Sequence, residues 1–200
     1  MHMREIQEQI LENKRRHGFN TTIIEQEFCY LNGEIREAYE AYCKELDNFP
    51  EELADVAIFL MGISEIQKVD LATEILRKIR CKNVQEVEET DMLLRNAQTG
   101  ETMLMRDAQR EICEDKAWHV FKTASVEQKF CNLYCQVAEA YEVYYKGRDT
   151  FAEELANVAI YLMGLAEING IDLGAEIIKK VEKNKSRQSK RNKKGYVVHL

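Results

Sequence analysis

The stretch that decides the fold spans Glu51–Met61 and reads EELADVAIFLM. From Leu53 onward it is almost entirely apolar and contains no Gly, Pro or turn residue, so it predicts a buried helix. Asp55 interrupts this apolar run, and an ionised carboxylate inside a buried helix is costly unless a partner compensates its charge. Glu52 precedes Asp55 by three residues, which puts both carboxylates on one face of the helix.

A second pair of carboxylates lies upstream. Glu34 and Glu37 have the same spacing within a predicted helix that runs from about Ile23 to Leu46. Taken alone, a Glu-x-x-Glu pair on a helix usually belongs to a solvated face. Two such pairs on packed helices, one of them inside an apolar run, instead form a set of hard oxygen ligands suited to Mg²⁺ or Mn²⁺. The predicted metal ligands are Glu34, Glu37, Glu52 and Asp55.

The composition is typical of a helical protein. One proline and nine glycines accompany 45% hydrophobic and 32% charged residues in 200 residues, which favours an all-α fold with a sizeable core. The net charge of −7 argues against a general nucleic-acid binder. No apolar run has the length needed to cross a bilayer, and the cysteines form no Cys-x-x-Cys pair. We therefore expect a cytoplasmic protein that does not enter a membrane, with buried free thiols rather than a zinc site.

The chain repeats itself when 102 is added to each residue number, so that residues 49–58 correspond to residues 151–160. The first segment reads FPEELADVAI and the second reads FAEELANVAI. The match continues without a gap, and Asp70-Leu71 corresponds to Asp172-Leu173. The sequence therefore predicts a tandem duplication of a four-helix unit. The predicted divisions are repeat one at 1–84, a polar linker at 85–102 and repeat two at 103–200.

The two repeats differ at the carboxylates. Repeat two keeps two of them, as Glu139 and Glu154, and replaces the other two with amides of nearly the same shape, Gln136 and Asn157. An amide keeps the capacity for hydrogen bonding but lacks the negative charge that a divalent cation requires. We therefore predict that repeat one holds the metal and that repeat two is its pseudo-symmetric partner.

Repeat two has a basic segment that repeat one lacks. Lys180, Asn184 and Arg187 are spaced i, i+4, i+7 along one face of a helix. Two cations and an amide suit a phosphate-bearing ligand. A solvated basic tail and a nucleic-acid contact are the alternatives, and residues 196–200 predict a short strand or hook that folds back. Carboxylates in one repeat and cations in the other predict a single composite site.

Together these motifs resemble those of the MazG-like, all-α nucleoside triphosphate pyrophosphatases. The hallmark of that family is Glu-x-x-Glu followed, after a variable gap, by Glu-x-x-Asp, which is matched here by Glu34-x-x-Glu37 and Glu52-x-x-Asp55. The basic segment of repeat two is similar to the family's nucleotide-contacting Lys-x-x-x-Asn-x-x-Arg. The resemblance implies an all-α fold of two tandem four-helix MazG-like units packed as a pseudo-dimer.

The resemblance also implies a function. A Mg²⁺-dependent pyrophosphohydrolase would cleave an NTP or dNTP to the monophosphate and pyrophosphate, for nucleotide sanitising or pool control. Either Glu34 or Glu37 would orient the attacking water, and Phe59, one turn after Asp55, would flank a base unless it belongs to the core. The usual assembly of the family implies a homo-oligomer, a dimer of pseudo-dimers. The alternative is a catalytically silent helical scaffold that binds nucleotide or a protein partner.

Overall fold

A computed structural model describes residues 1–79, 91–114 and 124–186, together with the backbone of residues 189–191 and 197–199. Helices α1 to α4 span Met3–His17, Ile24–Cys43, Phe49–Ile66 and Leu71–Lys78. Helices α5 to α8 span Met105–Glu114, Val126–Tyr145, Phe151–Ile168 and Leu173–Lys185. Strands β1 and β2 (Leu93–Arg95 and Thr102–Leu104) form one antiparallel pair, and β3 and β4 (Ser189–Arg191 and Val197–His199) form another. The described residues are mostly helical, which confirms the fold class predicted from the composition.

Helix α2 begins one residue after its predicted start and ends three residues before its predicted end at Leu46, and local signals mark other helix ends of repeat one. Gly18, in the left-handed conformation with φ of 73°, ends α1, and Pro50 lies in the first turn of α3. The Asp70 side chain accepts a hydrogen bond from the backbone N–H three residues later and so caps α4. Asp172 caps α8 in the same way. None of the helices within the described ranges is, taken singly, long and apolar enough to span a membrane, although α7 and α8 together, as a bent pair, meet that criterion.

The segment predicted as a polar linker contains strand β1 in its described part. Leu94 of β1 pairs with Met103 of β2, and both side chains are fully buried. The polar residues 98–101 lie in the turn between these two strands. A Cβ on Gly174 of α8 would lie 2.9 Å from the Cβ of Met92, so this close approach requires a glycine. The join between the repeats is therefore packed against the helices where it is described.

One hydrophobic core contains residues of both repeats. Helix α3 contacts α2 within its own repeat and α7 and α8 of the other, and α2 contacts α6. The α2–α6 contact is reciprocal: the ring centroids of Phe28 and Tyr141 lie 5.3 Å apart, and those of Tyr39 and Phe130 lie 5.1 Å apart. These four residues correspond pairwise under the shift of 102, so the same aromatic contact is made twice with the repeats exchanged.

The prediction of buried cysteines is wrong for most of the described ones. Cys29, Cys43, Cys131 and Cys135 are exposed, and Cys113 is half-buried. Two of the exposed thiols directly follow a buried phenylalanine, at Phe28 and Phe130. Since consecutive residues of a helix point in different directions, a position next to a core residue faces outward.

A buried glutamine ties α1 to the start of α4. Gln7 is fully buried; its Nε2 donates to the Val69 carbonyl at 3.0 Å, and its Oε1 accepts from the Leu71 N–H at 3.3 Å. Gln109 makes the corresponding pair of bonds in repeat two, at 2.9 and 3.2 Å. Both repeats therefore use one amide to satisfy the backbone before their last helix.

We expect Gln7→Ala to lower the free energy of unfolding by about 2 kcal/mol, because it leaves a buried carbonyl and a buried N–H without partners. Urea unfolding followed by circular dichroism measures this loss. Glu12→Ala, at an exposed position of the same helix, is the control and should change stability by no more than about 0.5 kcal/mol. Equal stability of the two variants would contradict the role assigned to Gln7.

Candidate functional site

Three of the four predicted carboxylates converge where α2 packs against α3. Carboxylate oxygens of Glu34, Glu37 and Glu52 all lie within 4.8 Å of one another. Mg²⁺ binds oxygen at about 2.0–2.1 Å, so two ligand oxygens on opposite sides of the ion are about 4 Å apart. Glu37 is exposed, whereas Glu34 and Glu52 are half-buried. This carboxylate cluster therefore fits a small divalent cation in ligand type and in size, and it is open to solvent at Glu37.

The carboxylate cluster carries uncompensated negative charge. Burial, together with the charges of Asp55, Glu37 and Glu52, raises the pKa of Glu34 to about 7. Burial and Asp55 also raise the pKa of Glu52. Arg36 donates a hydrogen bond to Glu37 at 2.9 Å, but both side chains of this ion pair are exposed to solvent. Without a further cation, Glu34 is therefore partly protonated near neutral pH.

Asp55 lies beside the carboxylate cluster and faces repeat two. Its Oδ2 accepts a hydrogen bond of 2.5 Å from the Nζ of Lys180, which also donates to Oε1 of Glu51 at 2.6 Å. The side chain of Lys180 is only 4% exposed. Lys183, on the same helix, donates to the two oxygens of Glu51 at 2.7 and 2.9 Å. Helix α8 of repeat two thus supplies two ammonium groups to the first two turns of α3.

These ion pairs keep their members charged. Hydrogen bonds from Lys180 and Lys183 lower the pKa of Glu51 to about 2. Burial acts to lower the pKa of Lys180, but its hydrogen bonds to Asp55 and Glu51 raise that pKa overall. The role of Glu51 has no signal in the sequence, because nothing in its spacing indicates which cation of the distant α8 it faces.

The remaining residues of the predicted basic segment are placed only in part. Asn184 lies one turn after Lys180, and its backbone carbonyl accepts a hydrogen bond of 3.5 Å from Asn13 of α1. The side-chain Oδ1 of Asn184 is buried and has no hydrogen-bond partner among the described residues. Arg187 lies outside the described residues. Of the three predicted phosphate-binding residues, the structure therefore places two, Lys180 and Asn184, on α8.

Phe59 of α3 is half-buried, and its ring contacts side chains of α1 and α2. The ring of Tyr30 is 5.7 Å away between centroids, and the Nζ of Lys14 lies 4.6 Å from the centre of the Phe59 ring. Lys14 also forms a buried ion pair with Glu27, whose other oxygen accepts from Asn20 at 2.8 Å. Burial lowers the pKa of Lys14. Sequence reasoning missed this pair, since its members are on different helices and share no motif.

The corresponding polar groups of repeat two satisfy one another. Gln136 donates to Glu139 at 2.9 Å, and Asn157 donates to Glu154 at 2.9 Å. Each amide therefore donates a hydrogen bond to the carboxylate three residues away but does not neutralise its charge. Among the described residues, only the three glutamates of repeat one form a group of three or more candidate metal ligands.

The site therefore combines a carboxylate cluster short of cations with two lysines from the other repeat. Such a pair of oppositely charged surfaces suits a divalent cation and a phosphate group bound side by side. Comparisons with known protein families, with characterised proteins and with solved structures found no match.

We expect the metal-free protein to lose stability between pH 5 and pH 8 through Glu34. Its folded-state pKa of about 7 lies above the ordinary 4.5, so the folded protein binds the additional proton in this interval and loses stability as the proton leaves. Glu34→Gln removes this dependence and should be more stable than the wild type at pH 8 by about 1–3 kcal/mol, with little difference at pH 5.

Urea unfolding in EDTA at several pH values measures this effect. Glu12→Gln, at an exposed position of α1, is the control and should retain the pH dependence of the wild type. If Glu34→Gln kept the wild-type slope, the raised pKa assigned to Glu34 would be wrong.

Proposed function

We propose that this protein is a Mg²⁺-dependent nucleotide pyrophosphohydrolase that converts an NTP or dNTP and water to the monophosphate and pyrophosphate. The observation that carries the proposal is the convergence of Glu34, Glu37 and Glu52 beside lysines supplied by the other repeat. The same carboxylate pattern underlies the resemblance to the MazG-like family, and membership of that family is part of the proposal. Mn²⁺ has the same preference for oxygen ligands and would replace Mg²⁺.

In the proposed reaction, water attacks the α-phosphorus, the bond from that phosphorus to the bridging oxygen breaks, and pyrophosphate leaves. When bound, Mg²⁺ would offset the charge of the phosphates and lower the pKa of the attacking water. Glu34 and Glu37 are the two carboxylates on α2 able to orient this water.

The groups on α8 would bind the phosphates. Lys180 and Lys183 already contact carboxylates next to the cluster, and the buried Oδ1 of Asn184 lies one turn further along. Phe59 would contact the base with the part of its ring left exposed by Tyr30 and Lys14. None of these residues reads a particular base, so the proposal covers nucleoside triphosphates as a class.

The proposal includes the arrangement of the repeats as a pseudo-dimer. The reciprocal contacts of Phe28 with Tyr141 and of Phe130 with Tyr39 support it, because a two-fold interface brings each residue against its partner twice. A site with carboxylates from one repeat and cations from the other follows from such an arrangement. A dimer of these chains and a cytoplasmic location complete the proposal.

We expect Glu37→Gln to abolish hydrolysis, because it removes a negative charge from the carboxylate cluster. Stability should stay nearly unchanged, because Glu37 is exposed. Release of pyrophosphate and monophosphate from a panel of canonical and modified NTPs and dNTPs, with and without Mg²⁺ or Mn²⁺, measures the activity. Glu139→Gln changes the corresponding residue of repeat two and is the matched control, with full activity expected.

Two other outcomes of this experiment are informative. Hydrolysis that survives Glu37→Gln would show that the site is wrongly assigned although the reaction is correct. A wild type that neither hydrolyses any member of the panel nor binds metal would favour the alternative of a catalytically silent scaffold that binds nucleotide or a protein partner.

A second metal site should appear when the lost charges of repeat two are restored. The double variant Gln136→Glu, Asn157→Asp recreates four carboxylates at the positions that correspond to those of repeat one. Calorimetric titration with Mn²⁺ should give a higher stoichiometry than in the wild type. Adding Glu139→Gln to the double variant should return the stoichiometry to that of the wild type, and a stoichiometry unaffected by the double variant would contradict the equivalence of the two sites.

A further inference from the structure

We infer that Lys180 is the internal counter-ion of the site without metal and that Glu51 positions it, so that Lys180 moves from Asp55 to a phosphate when a divalent cation binds. The inference rests on the proposed function, since it requires the metal site. It assigns Asp55 two successive partners, first the ammonium group of repeat two and then the divalent cation.

The geometry of Lys180 carries this inference. Its Nζ lies between Asp55 and Glu51, at 2.5 and 2.6 Å, and these two carboxylates are four residues apart on one face of α3. An ammonium group has three N–H donors. The third has no hydrogen-bond partner among the described residues, so it remains available to an acceptor such as a phosphate oxygen.

Electrostatics determine which of the two contacts breaks. A divalent cation held by the carboxylate cluster and Asp55 would lie close to the Lys180 ammonium group, and like charges at that distance repel strongly where water is scarce. Glu51 is not a member of the cluster, and its two oxygens also accept hydrogen bonds from Lys183 at 2.7 and 2.9 Å. The contact of Lys180 with Asp55 is therefore the one that a cation displaces, and the contact with Glu51 keeps the ammonium group beside the site.

Repeat two lacks this bridge. The residues that correspond to Glu51, Asp55 and Lys180 are Glu153, Asn157 and Lys78. Asn157 donates to Glu154 at 2.9 Å, and Glu153 is exposed and makes no ion pair with Lys78 in the described part of the chain. The bridging lysine is thus found only beside the repeat that keeps its carboxylates, as a role in metal exchange requires.

Calorimetric titration with Mn²⁺ tests the exchange. Lys180→Met removes the ammonium group that competes with a cation for Asp55, and we expect this variant to bind Mn²⁺ about tenfold more tightly than the wild type in the absence of any phosphate ligand. Lys183→Met is the matched control, because it removes the same charge from the same Glu51 without removing a hydrogen bond from Asp55. A change of less than about threefold is expected for this control.

A second measurement uses the wild-type protein and does not depend on the folding of a variant. Acetylation of lysines by a limiting reagent, followed by mass spectrometry of peptides, reports how accessible each amine is. Acetylation of Lys180 should be slow in EDTA, about tenfold faster with Mg²⁺, and slow again with Mg²⁺ and imidodiphosphate. Lys179, which is exposed and pairs with Glu176, is the internal reference and should not change.

Three outcomes would overturn the inference and leave the proposed function intact: equal tightening in both methionine variants, weaker Mn²⁺ binding in Lys180→Met, or acetylation of Lys180 that Mg²⁺ does not change. Failure of the wild type and both variants to bind Mn²⁺ would overturn the proposed metal site and the inference together.

Discussion

The ion pair between Asp55 and Lys180 is the buried charged contact that joins the two repeats at the candidate site. The residues on either side of Asp55 in α3 are almost fully buried. Its partner, the ammonium group of Lys180, is 125 residues further along the chain. Breaking a buried pair by removing one partner costs about 3–5 kcal/mol, because the other charge stays in a poorly hydrated site. The pair therefore favours the packing of α8 against α3. The shared hydrophobic core and the reciprocal aromatic contacts act in the same direction, so the repeats stabilise each other.

The two repeats share residues that the fold needs and differ at the candidate site. Gln7 and Gln109 make the same two backbone hydrogen bonds, and Asp70 and Asp172 cap the same helix in each repeat. These contacts are required by any chain that folds in this way, so both repeats have them. Charge in the interior behaves differently: the buried Glu27, which pairs with Lys14, corresponds to a buried lysine in repeat two. Differences of this kind support the proposal that repeat one holds the functional site.

The sequence predicts the helices well because each has a local signal, such as Gly18 after α1 or Pro50 at the start of α3. It also predicts the carboxylate cluster, since the spacing of three residues on two packed helices brings Glu34, Glu37 and Glu52 together. The hairpin of β1 and β2 was missed because strands of three residues are too short to show an alternating pattern. The bridge from Lys180 to Glu51 could not be predicted, since the packing of distant helices rather than any local spacing selects the partner of a cation.

Stability alone does not explain the charges of repeat one. Gln136 and Asn157 occupy the positions that correspond to Glu34 and Asp55, in a helix pair of the same lengths, and both make hydrogen bonds of 2.9 Å there. The fold therefore accommodates amides at these positions without loss of hydrogen bonding. Carboxylates at the same positions raise the pKa of Glu34, which costs free energy in the folded state at neutral pH, and they place Asp55 opposite the buried Lys180. A ligand that recovers this cost has to be positively charged and small enough for oxygens within 4.8 Å of one another, and a divalent cation meets both conditions.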